Sequence, residues 1–326
     1  MPRRLSVTVE QFPLKHVFRI ARGSKTEAVV VTCRIEDEYG AGWAECVPYP
    51  RYGESVDSVT AAIESVRELI ESGGSRQSLE AALGAGAARN ALDCALWDLE
   101  AKSTGKPVAA IVCGDTPRPV ETAFTISLDS AERMASEARA CGRDLLKIKL
   151  GTADDRERIQ AVKAAARGAR LILDANEGWT AANIRDHLLA AAAAGAVLVE
   201  QPLPADQDEI LGKIPHPVPI CADESLHIGK DLAALVGRYD YVNVKLDKTG
   251  GLTEAVRLFA QAREHGFGVM VGCMVGSSLA MAPALLLAQH AEIVDLDGPL
   301  LIARDRDHPL TYSGSMVSPP DPKLWG

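Results

Sequence analysis

The clearest pattern in the chain is a series of short apolar runs, each of which ends near a charged residue. Residues 145–150 read LLKIKL between Gly142 and Gly151, and later runs read LILDAN, VLVEQP, ICADES and VNVKLD. The charged residues in this series are Lys149, Asp174, Glu200, Asp223 and Lys245. Apolar runs of this length, bounded by turn residues, predict buried strands.

The spacing of these runs predicts the fold class. The charged residues recur every 22 to 26 positions, which is the length of one strand, helix and loop. Helical patterns fill the gaps at 153–167, 181–194, 206–214, 231–236 and 253–265. Three more apolar runs near positions 124, 269 and 294 bring the predicted strands to eight, so an α/β barrel can close. Catalytic groups of such barrels lie at the carboxyl ends of the strands, where these charged residues fall.

The first third of the chain has a different pattern. Alternating polar and apolar residues in SVTVEQFPL and VVVTCRIEDEYGAGWAEC predict antiparallel strands, and helical patterns follow at 55–71 and 87–102. Pro117 and Pro119 mark a boundary. We therefore predict an α+β domain at 1–117, a barrel at 118–299 and a segment at 300–326 that returns to the first domain.

Composition narrows the class of protein. A chain of 326 residues with 47% hydrophobic residues can bury a large core, and a net charge of −9 argues against a nucleic-acid partner. The absence of a long apolar run and of a signal-peptide core predicts a cytoplasmic protein without a membrane partner. Seven cysteines without metal-site spacing indicate reduced thiols. A homo-oligomer is compatible with these features.

Two lysines alternate with apolar residues in LLKIKL. Lys147 and Lys149 must point to the same face of one strand. They are either solvated on an edge strand or buried, in which case each needs a carboxylate, a metal-bound anion or a lowered pKa. The acidic residues at the ends of the later strands favour the buried pair.

Three acids at consecutive strand ends suggest a metal site. Asp174, Glu200 and Asp223 would converge at the barrel mouth, where without a cation they would repel one another. Ligands that are all oxygen suit a hard divalent ion, Mg²⁺ before Mn²⁺. The alternative is three acids that are paired separately with unrelated cations.

The lysines on predicted strands two and six face each other across the mouth. Lys149 and Lys245 could each serve as a base on one face of a bound substrate. A carboxylate held by a metal can stabilise the enediolate that forms when the neighbouring carbon loses a proton. Removal on one face and delivery on the other is racemisation or epimerisation.

The Lys-x-Lys pair, the three acids and the later lysine together resemble the enolase superfamily, muconate-lactonising subgroup. The stretch ARNALDCALWDLEAKSTGKP resembles a helix of the capping domain of that superfamily. The resemblance implies an α/β fold, a (β/α)7β modified TIM barrel with an α+β capping domain. It places the substrate between the two domains.

Four further motifs are similar to the L-Ala-D/L-Glu epimerases, a family of dipeptide epimerases of murein peptide recycling. They are IARGSKTEA at 20–28, ECVPYPRYGES at 45–55, VNVKLDKTGGLTEA at 242–255 and DLDGP at 295–299. This resemblance implies Mg²⁺-dependent inversion of the C-terminal residue of L-Ala-D/L-Glu, with Lys149 and Lys245 as the acid/base pair. It also implies that Lys147 holds the substrate carboxylate and lowers the pKa of Lys149.

The DLD sequence near the last strand has two interpretations. Asp295 and Asp297 on one strand would point to the same face and form a doubly negative site that suits a substrate ammonium group. Alternatively, one is a helix-capping residue and the other a turn residue before Gly298. The resemblance favours recognition of the N-terminal ammonium of a dipeptide.

Other candidate residues lie in loops. Arg22 could pair with a substrate side-chain carboxylate and select Glu or Asp, with Arg19 and Arg51 as rival candidates. Asn176 and Glu224 each follow a predicted metal ligand and are expected to hydrogen-bond to the ligands or lysines. For the loop at 272–278 the sequence leaves substrate positioning open.

Other functions remain open at this point. Relatives with the same lysines and acids act as cycloisomerases or o-succinylbenzoate synthases, and other dipeptide specificities also occur. A Schiff-base aldolase would use one strand-end lysine without a metal. A binding protein without catalysis would leave two buried lysines on opposite strands unexplained.

Overall fold

An antiparallel sheet of three strands begins the chain in the computed structural model, which describes residues 2–326. Its strands are β1 (Arg4–Ile20), β2 (Gly23–Glu36) and β3 (Ala41–Cys46). Five α-helices follow: α1 (Val56–Ser65), α2 (Arg67–Glu71), α3 (Arg76–Ala82), α4 (Ala87–Thr104) and α5 (Val108–Val112). Helix α4 packs directly on β3. Gly42 permits this contact, since a β-carbon at this position would lie only 2.7 Å from the α-carbon of Leu99. This contact joins the sheet to its helices.

The hairpin of β1 and β2 is long and irregular. Its pairing runs from Arg4 opposite Glu36 to Ile20 opposite Gly23, and the register shifts between Pro13 and Phe18. Proline has no N–H to give to a partner strand, which favours an interruption at this point. Beyond the shift, the tip of the hairpin reaches over the second domain.

Eight parallel strands form the second domain, in the order of the chain. They are β5 (Phe124–Ile126), β6 (Leu145–Lys149), β7 (Arg170–Asp174), β8 (Leu198–Glu200), β9 (Ile220–Ala222), β10 (Tyr241–Val244), β11 (Gly268–Gly272) and β12 (Ile293–Asp295). The N–H of Ala123 donates to the carbonyl of Val294 at 2.9 Å and connects the two end strands. The predicted barrel of eight strands is confirmed.

Helices connect the strands and cover the outside of the barrel. The α-helices are α6 (Ala131–Cys141), α7 (Asp155–Ala165), α8 (Ile184–Ala194), α9 (Leu232–Leu235), α10 (Leu246–Thr249), α11 (Leu252–Glu264) and α12 (Ser278–Leu287). The helix predicted at 206–214 is instead a 3-10 helix at Glu209–Lys213. Pro204 lies before this segment and Pro215 follows it, so little chain is left for regular helical hydrogen bonds.

The end of the chain packs on the first domain. After α13 (Gly298–Leu301), strands β13 (Tyr312–Ser313) and β14 (Met316–Val317) form a small sheet with β4 (Val120–Glu121). The indole N–H of Trp43 donates to the carbonyl of Leu324 at 2.5 Å, and that of Trp325 donates to the carbonyl of Cys94 at 3.1 Å. The domain boundaries at 117 and 299 stay a prediction.

Membrane crossing would need a long apolar helix, and none of the helices within residues 2–326 has that combination of length and apolarity.

Candidate active site

The charged residues singled out in the sequence lie at the carboxyl ends of the barrel strands. Lys149, Asp174 and Glu200 are the last residues of β6, β7 and β8, and they are aligned in register across these strands. Asp223 and Lys245 follow β9 and β10 directly. Because β6 and β10 are four strands apart in a sheet of eight, the two lysines lie on opposite sides of the barrel mouth.

Lys147 occupies the centre of the acidic groups. Its Nζ lies 2.7 Å from Glu200 Oε2, 2.7 Å from Asp295 Oδ2 and 3.2 Å from Asp174 Oδ2. Strand β6 lies between β5 and β7, and Lys147 is only 1% exposed, so the solvated edge strand is excluded. Burial by itself lowers the pKa of Lys147, but the surrounding carboxylates outweigh burial and raise that pKa well above its usual value.

Each predicted acid/base lysine is paired with one carboxylate. Lys149 Nζ lies 2.6 Å from Asp174 Oδ2, and Lys245 Nζ lies 2.6 Å from Asp223 Oδ2. Burial opposes ionisation of Asp223, but the neighbouring ammonium groups, Lys245 first, hold its pKa well below its usual value. Burial likewise opposes the ammonium form of Lys245, whose pKa the Asp223 carboxylate nevertheless raises. The lysines and acids therefore stabilise each other's charges.

A fourth buried lysine was missed in the sequence. Lys248 Nζ donates to Asp223 Oδ1 at 2.6 Å, to the carbonyl of Asp223 at 2.5 Å and to the carbonyl of Asn243 at 3.0 Å. It lies in the short helix α10, one turn after Lys245, so the spacing of the two lysines in VNVKLDK was the available signal. Asn243 was missed as well, and its amide donates to Glu200 Oε1 at 2.9 Å.

The charges of this lumen balance. Four ammonium groups face four carboxylates: those of Lys147, Lys149, Lys245 and Lys248, and those of Asp174, Glu200, Asp223 and Asp295. Burial and the nearby Asp174 carboxylate raise the pKa of Glu200 to about 7. The charged form of Glu200 is therefore less stabilised than the charged forms of Asp174 and Asp223, whose pKa values are lowered.

The predicted metal ligands Asp174, Glu200 and Asp223 each lie beside a buried lysine. Ammonium groups lie between the acids, and within residues 2–326 no set of three His, Cys, Asp or Glu side chains is close enough to hold an ion in this arrangement. The donors nevertheless fit a hard cation, because Asp174, Glu200 and Asp223 offer only carboxylate oxygens. Glu200 Oε2 is buried without a hydrogen-bond donor, with the Lys147 ammonium as its ion-pair partner. The residue types therefore suit Mg²⁺.

The expectation that Asp295 and Asp297 of the DLD sequence lie on one strand is wrong. Strand β12 ends at Asp295, and Asp297 directly precedes helix α13. The chain leaves the sheet because the N–H of Leu296 donates to Thr122 Oγ1, and Pro299 lies in the first turn of the helix that begins at Gly298. The Asp297 carboxylate accepts the N–H of Thr125 at 2.6 Å. Burial raises the pKa of Asp297, and the charge of the neighbouring Asp295 adds to this effect, so that the pKa is about 7.

Arg22 lies at the tip of the hairpin and contacts the barrel mouth. It donates to the carbonyl of Asn176 at 2.7 Å, to Glu177 Oε2 at 3.0 Å and to Glu224 Oε1 at 2.6 Å. Glu224 is thus the partner of Arg22 instead of a partner of a metal ligand or lysine. The N–H of Asn176 donates to Asp174 Oδ1 at 3.0 Å, and the residue has a positive φ of 44°, which asparagine tolerates.

The rival arginines lie in different surroundings. Arg51 forms two 2.7 Å hydrogen bonds with the carboxylate of Glu177, next to Arg22. Arg19 pairs with Asp129 at 3.2 Å and does not line the pocket that Arg22 and Arg51 share.

A cavity of about 450 Å³ lies between the two domains above these groups. Its walls come from the hairpin, from the segment at 49–52, from the ends of the barrel strands and from the loop after β11. The residues that line it include Phe18, Arg22, Lys25, Tyr49, Arg51, Lys149, Asn176, Asp223, Glu224, Lys245, Cys273 and Met274. Both acid/base candidates therefore open into one cavity.

The loop after β11 is held from behind by a buried ion pair that the sequence did not reveal. Glu45, at 1% exposure, accepts the N–H of Ser277 at 2.7 Å. Arg306, from the returning C-terminal segment, lies 2.6 Å from Glu45 Oε2 and 2.8 Å from Glu10 Oε2. One arginine thus joins the N-terminal sheet to the loop that forms a wall of the cavity.

Comparison with known protein families agrees with this architecture. Residues 3–113 match the N-terminal domain of the mandelate racemase / muconate lactonizing enzyme family, and residues 129–322 match the enolase C-terminal domain-like family. An L-Ala-D/L-Glu epimerase of Escherichia coli (strain K12) is 46% identical over 95% of this chain and 98% of its own length. An N-acetyl-D-glutamate racemase of a Pseudoalteromonas species is also 46% identical, over 90% of this chain and 93% of its own.

Solved structures show the same fold. An enolase family member from Agrobacterium tumefaciens with homology to dipeptide epimerases, with bound sodium and L-Ala-L-Glu, is 55% identical and has a TM-score of 0.98 over 100% of both chains. A dipeptide epimerase from Enterococcus faecalis V583, complexed with Mg and the dipeptide L-Leu-L-Tyr, is 28% identical. Its TM-score is 0.89 over 98% of this chain and 97% of its own. From the barrel, its strand-end residues and these matches along both domains, the chain belongs to the mandelate racemase / muconate lactonizing enzyme family of the enolase superfamily.

Proposed function

We propose that the chain interconverts L-Ala-D-Glu and L-Ala-L-Glu by moving the α-proton of the C-terminal residue from one face to the other. The chain is an isomerase, as its epimerase relatives are. The observation that carries the proposal is the placement of Lys149 and Lys245 on strands four apart, both lining one cavity. A planar intermediate between two such amines can be protonated from either face.

The residues would act in the following way. Lys149 in its neutral form removes the α-proton on one face, and the electron pair of the broken C–H bond moves towards the substrate carboxylate. The Lys245 ammonium then returns a proton to the opposite face. The reverse reaction exchanges the two roles. Both side chains are nearly buried, at 8% and 7% exposure, so few water molecules compete for the proton.

Asp174, Glu200 and Asp223 are the residues that would hold Mg²⁺, with Mn²⁺ as a substitute. When bound, a divalent ion supplies positive charge that stabilises the substrate carboxylate while the α-proton is absent. Lys147 lies among the same acids and supplies an ammonium group that can pair with that carboxylate. Relatives that are complexed with Mg and a dipeptide support this choice of cofactor.

The remaining candidates lie where the ends of the dipeptide would be. Asp295 and Asp297 lie beside each other and suit the ammonium group of the N-terminal residue. Arg22, at the tip of the hairpin, lines the part of the cavity that would receive the side chain of the C-terminal residue. Asn176 and Glu224 hold the hairpin tip and the Asp174 carboxylate in place. With this reaction the chain would serve murein peptide recycling in the cytoplasm.

Deuterium exchange tests the proposal. Each isomer is incubated in D₂O with the wild type, with Lys149→Ala and with Lys245→Ala, and incorporation at the α-carbon is followed by NMR. We expect each variant to lose exchange from one isomer by about 10²- to 10⁴-fold, the usual contribution of a general base. The two variants should fail on opposite isomers, and EDTA should stop all exchange until Mg²⁺ is added. Normal exchange of both isomers by both variants would refute the two-base scheme.

A second candidate substrate is an N-acylated glutamate. It is favoured because the charge of Asp295 is taken up by Lys147 at 2.7 Å, and because one 46% identical relative is an N-acetyl-D-glutamate racemase. Comparing kcat/KM for L-Ala-D-Glu and N-acetyl-D-Glu separates the two. A preference for the dipeptide supports an ammonium site at Asp295 and Asp297. A preference for the acetylated substrate would exclude that role for the two acids.

A further inference from the structure

The hairpin that covers the cavity presents one more cation to the substrate. Phe18 on β1 and Lys25 on β2 are direct partners in the register of the hairpin, so their side chains share one face. The ring of Phe18 lies with its centroid 5.9 Å from Lys149 Nζ. Lys25 therefore belongs to the face of the hairpin that lies above the acid/base lysine, and it lines the cavity.

The other cations on this side of the cavity already have carboxylate partners. Arg22 is bound to Glu177 and Glu224, and Arg51 holds both oxygens of Glu177. Two guanidinium groups thus face two carboxylates, and their charges cancel. Both Nη atoms of Arg22 are occupied by these acids and by the carbonyl of Asn176.

Lys25 is different. Among residues 2–326, no carboxylate lies within ion-pair distance of its ammonium group, which instead lies 5.1 Å from the centroid of the Tyr49 ring. The hydroxyl of Tyr49 is 3.4 Å from Arg22 Nη2, so the two cations flank one ring. Lys25 is exposed at the mouth of the cavity, yet the surrounding protein desolvates its ammonium enough to lower its pKa, with no acid acting in the opposite direction.

We propose that Lys25 is the residue that selects an acidic side chain on the amino acid being inverted, by pairing with its carboxylate. In this arrangement Arg22 shapes the wall of the cavity, and Lys25 supplies the net positive charge of that wall. The inference rests on the proposed function and deepens it, because it assigns the substrate class of the same site. The class is a dipeptide or N-acyl amino acid whose reacting residue carries a side-chain carboxylate.

A pair of substrates of nearly equal shape tests the assignment. L-Ala-L-Glu and L-Ala-L-Gln differ in the charge of the side chain, so their kcat/KM ratio measures charge selection. In Lys25→Met we expect KM for L-Ala-L-Glu to rise about threefold to fivefold, the upper range for a partly exposed ion pair. We expect kcat, and KM for L-Ala-L-Gln, to change less than about twofold. Lys25→Arg should restore the Glu preference.

Lys106→Met is the matched control, because Lys106 is an exposed lysine of the same domain that does not line the cavity. It should behave as the wild type with both substrates. If Lys25→Met retains the wild-type Glu/Gln ratio, or loses activity equally on both substrates, Lys25 does not select the charge. Those results leave epimerisation intact. Absence of exchange by the wild type with either substrate would instead overturn the proposed function and, with it, this assignment.

Discussion

Replacing Lys248 by methionine should cost stability as well as activity. Lys248 is 3% exposed, and its ammonium group donates to three acceptors: a carboxylate oxygen of Asp223, the carbonyl of Asp223 and the carbonyl of Asn243. Methionine fills similar volume but donates nothing, so these acceptors lose their shared donor. Breaking a buried ion pair on one side costs about 3 to 5 kcal/mol.

For a chain of this length, a loss of that size lowers the melting temperature by about 4 to 7 °C. Differential scanning calorimetry with and without Mg²⁺ measures this shift, and α-proton exchange in D₂O on the same samples measures activity. Activity should fall as well, because Lys248 positions the carboxylate that pairs with Lys245. Lys230→Met, at an exposed lysine, is the control and should leave both quantities unchanged. A Lys248→Met variant with unchanged melting temperature and exchange rate would contradict the role of this ammonium group.

Three more predictions follow from other contacts. Burial raises the pKa of Asp247 to about 7, above its value in the unfolded chain, so its contribution to stability falls as pH rises through that range. Urea titrations should therefore show Asp247→Asn to be more stable than the wild type at pH 8, with the difference disappearing near pH 4; an equal difference at both pH values would contradict this. Arg306→Met should lower the free energy of unfolding by about 3 to 5 kcal/mol, because it leaves Glu45 buried without its cation. Its melting temperature should fall accordingly. Arg34→Met, which removes an exposed pair, should cost less than about 1 kcal/mol, and equal losses would refute the comparison. Finally, Mg²⁺ should raise the melting temperature of the wild type by binding the folded chain, and Glu200→Gln should weaken this shift; an identical shift in both would exclude Glu200 as a ligand.

The barrel and the positions of its strand-end residues were predictable because most of the strands are apolar runs that end at or just before a charged residue. Lys149 and Asp174 show this directly, since each is the last residue of its strand. The segment at 206–214 was predicted as an α-helix because its apolar spacing is helical, but prolines on both sides limit it to a 3-10 helix. Helical spacing alone does not show this limit.

The partners of the site residues could not be read from the sequence, because they are distant along the chain. Arg22 was singled out as a residue for the substrate, but its carboxylate partners at 177 and 224 lie more than 150 positions away. Lys248 belongs to a one-turn helix that is too short to produce a periodic pattern. Asp297 appeared to continue a strand, and only the hydrogen bond of Leu296 to Thr122 shows where that strand ends.

The seam between the end of the chain and the first domain has a consequence for how the protein is made. Trp43 and Cys94 bond to residues near position 325, and Glu45 is neutralised by Arg306. During synthesis these contacts of the N-terminal domain therefore cannot form until residues 306 to 325 have emerged from the ribosome. Contacts this distant in sequence form slowly. Nascent chains that stop before residue 306 would leave a charged Glu45 and an uncovered tryptophan open to chaperones and proteases.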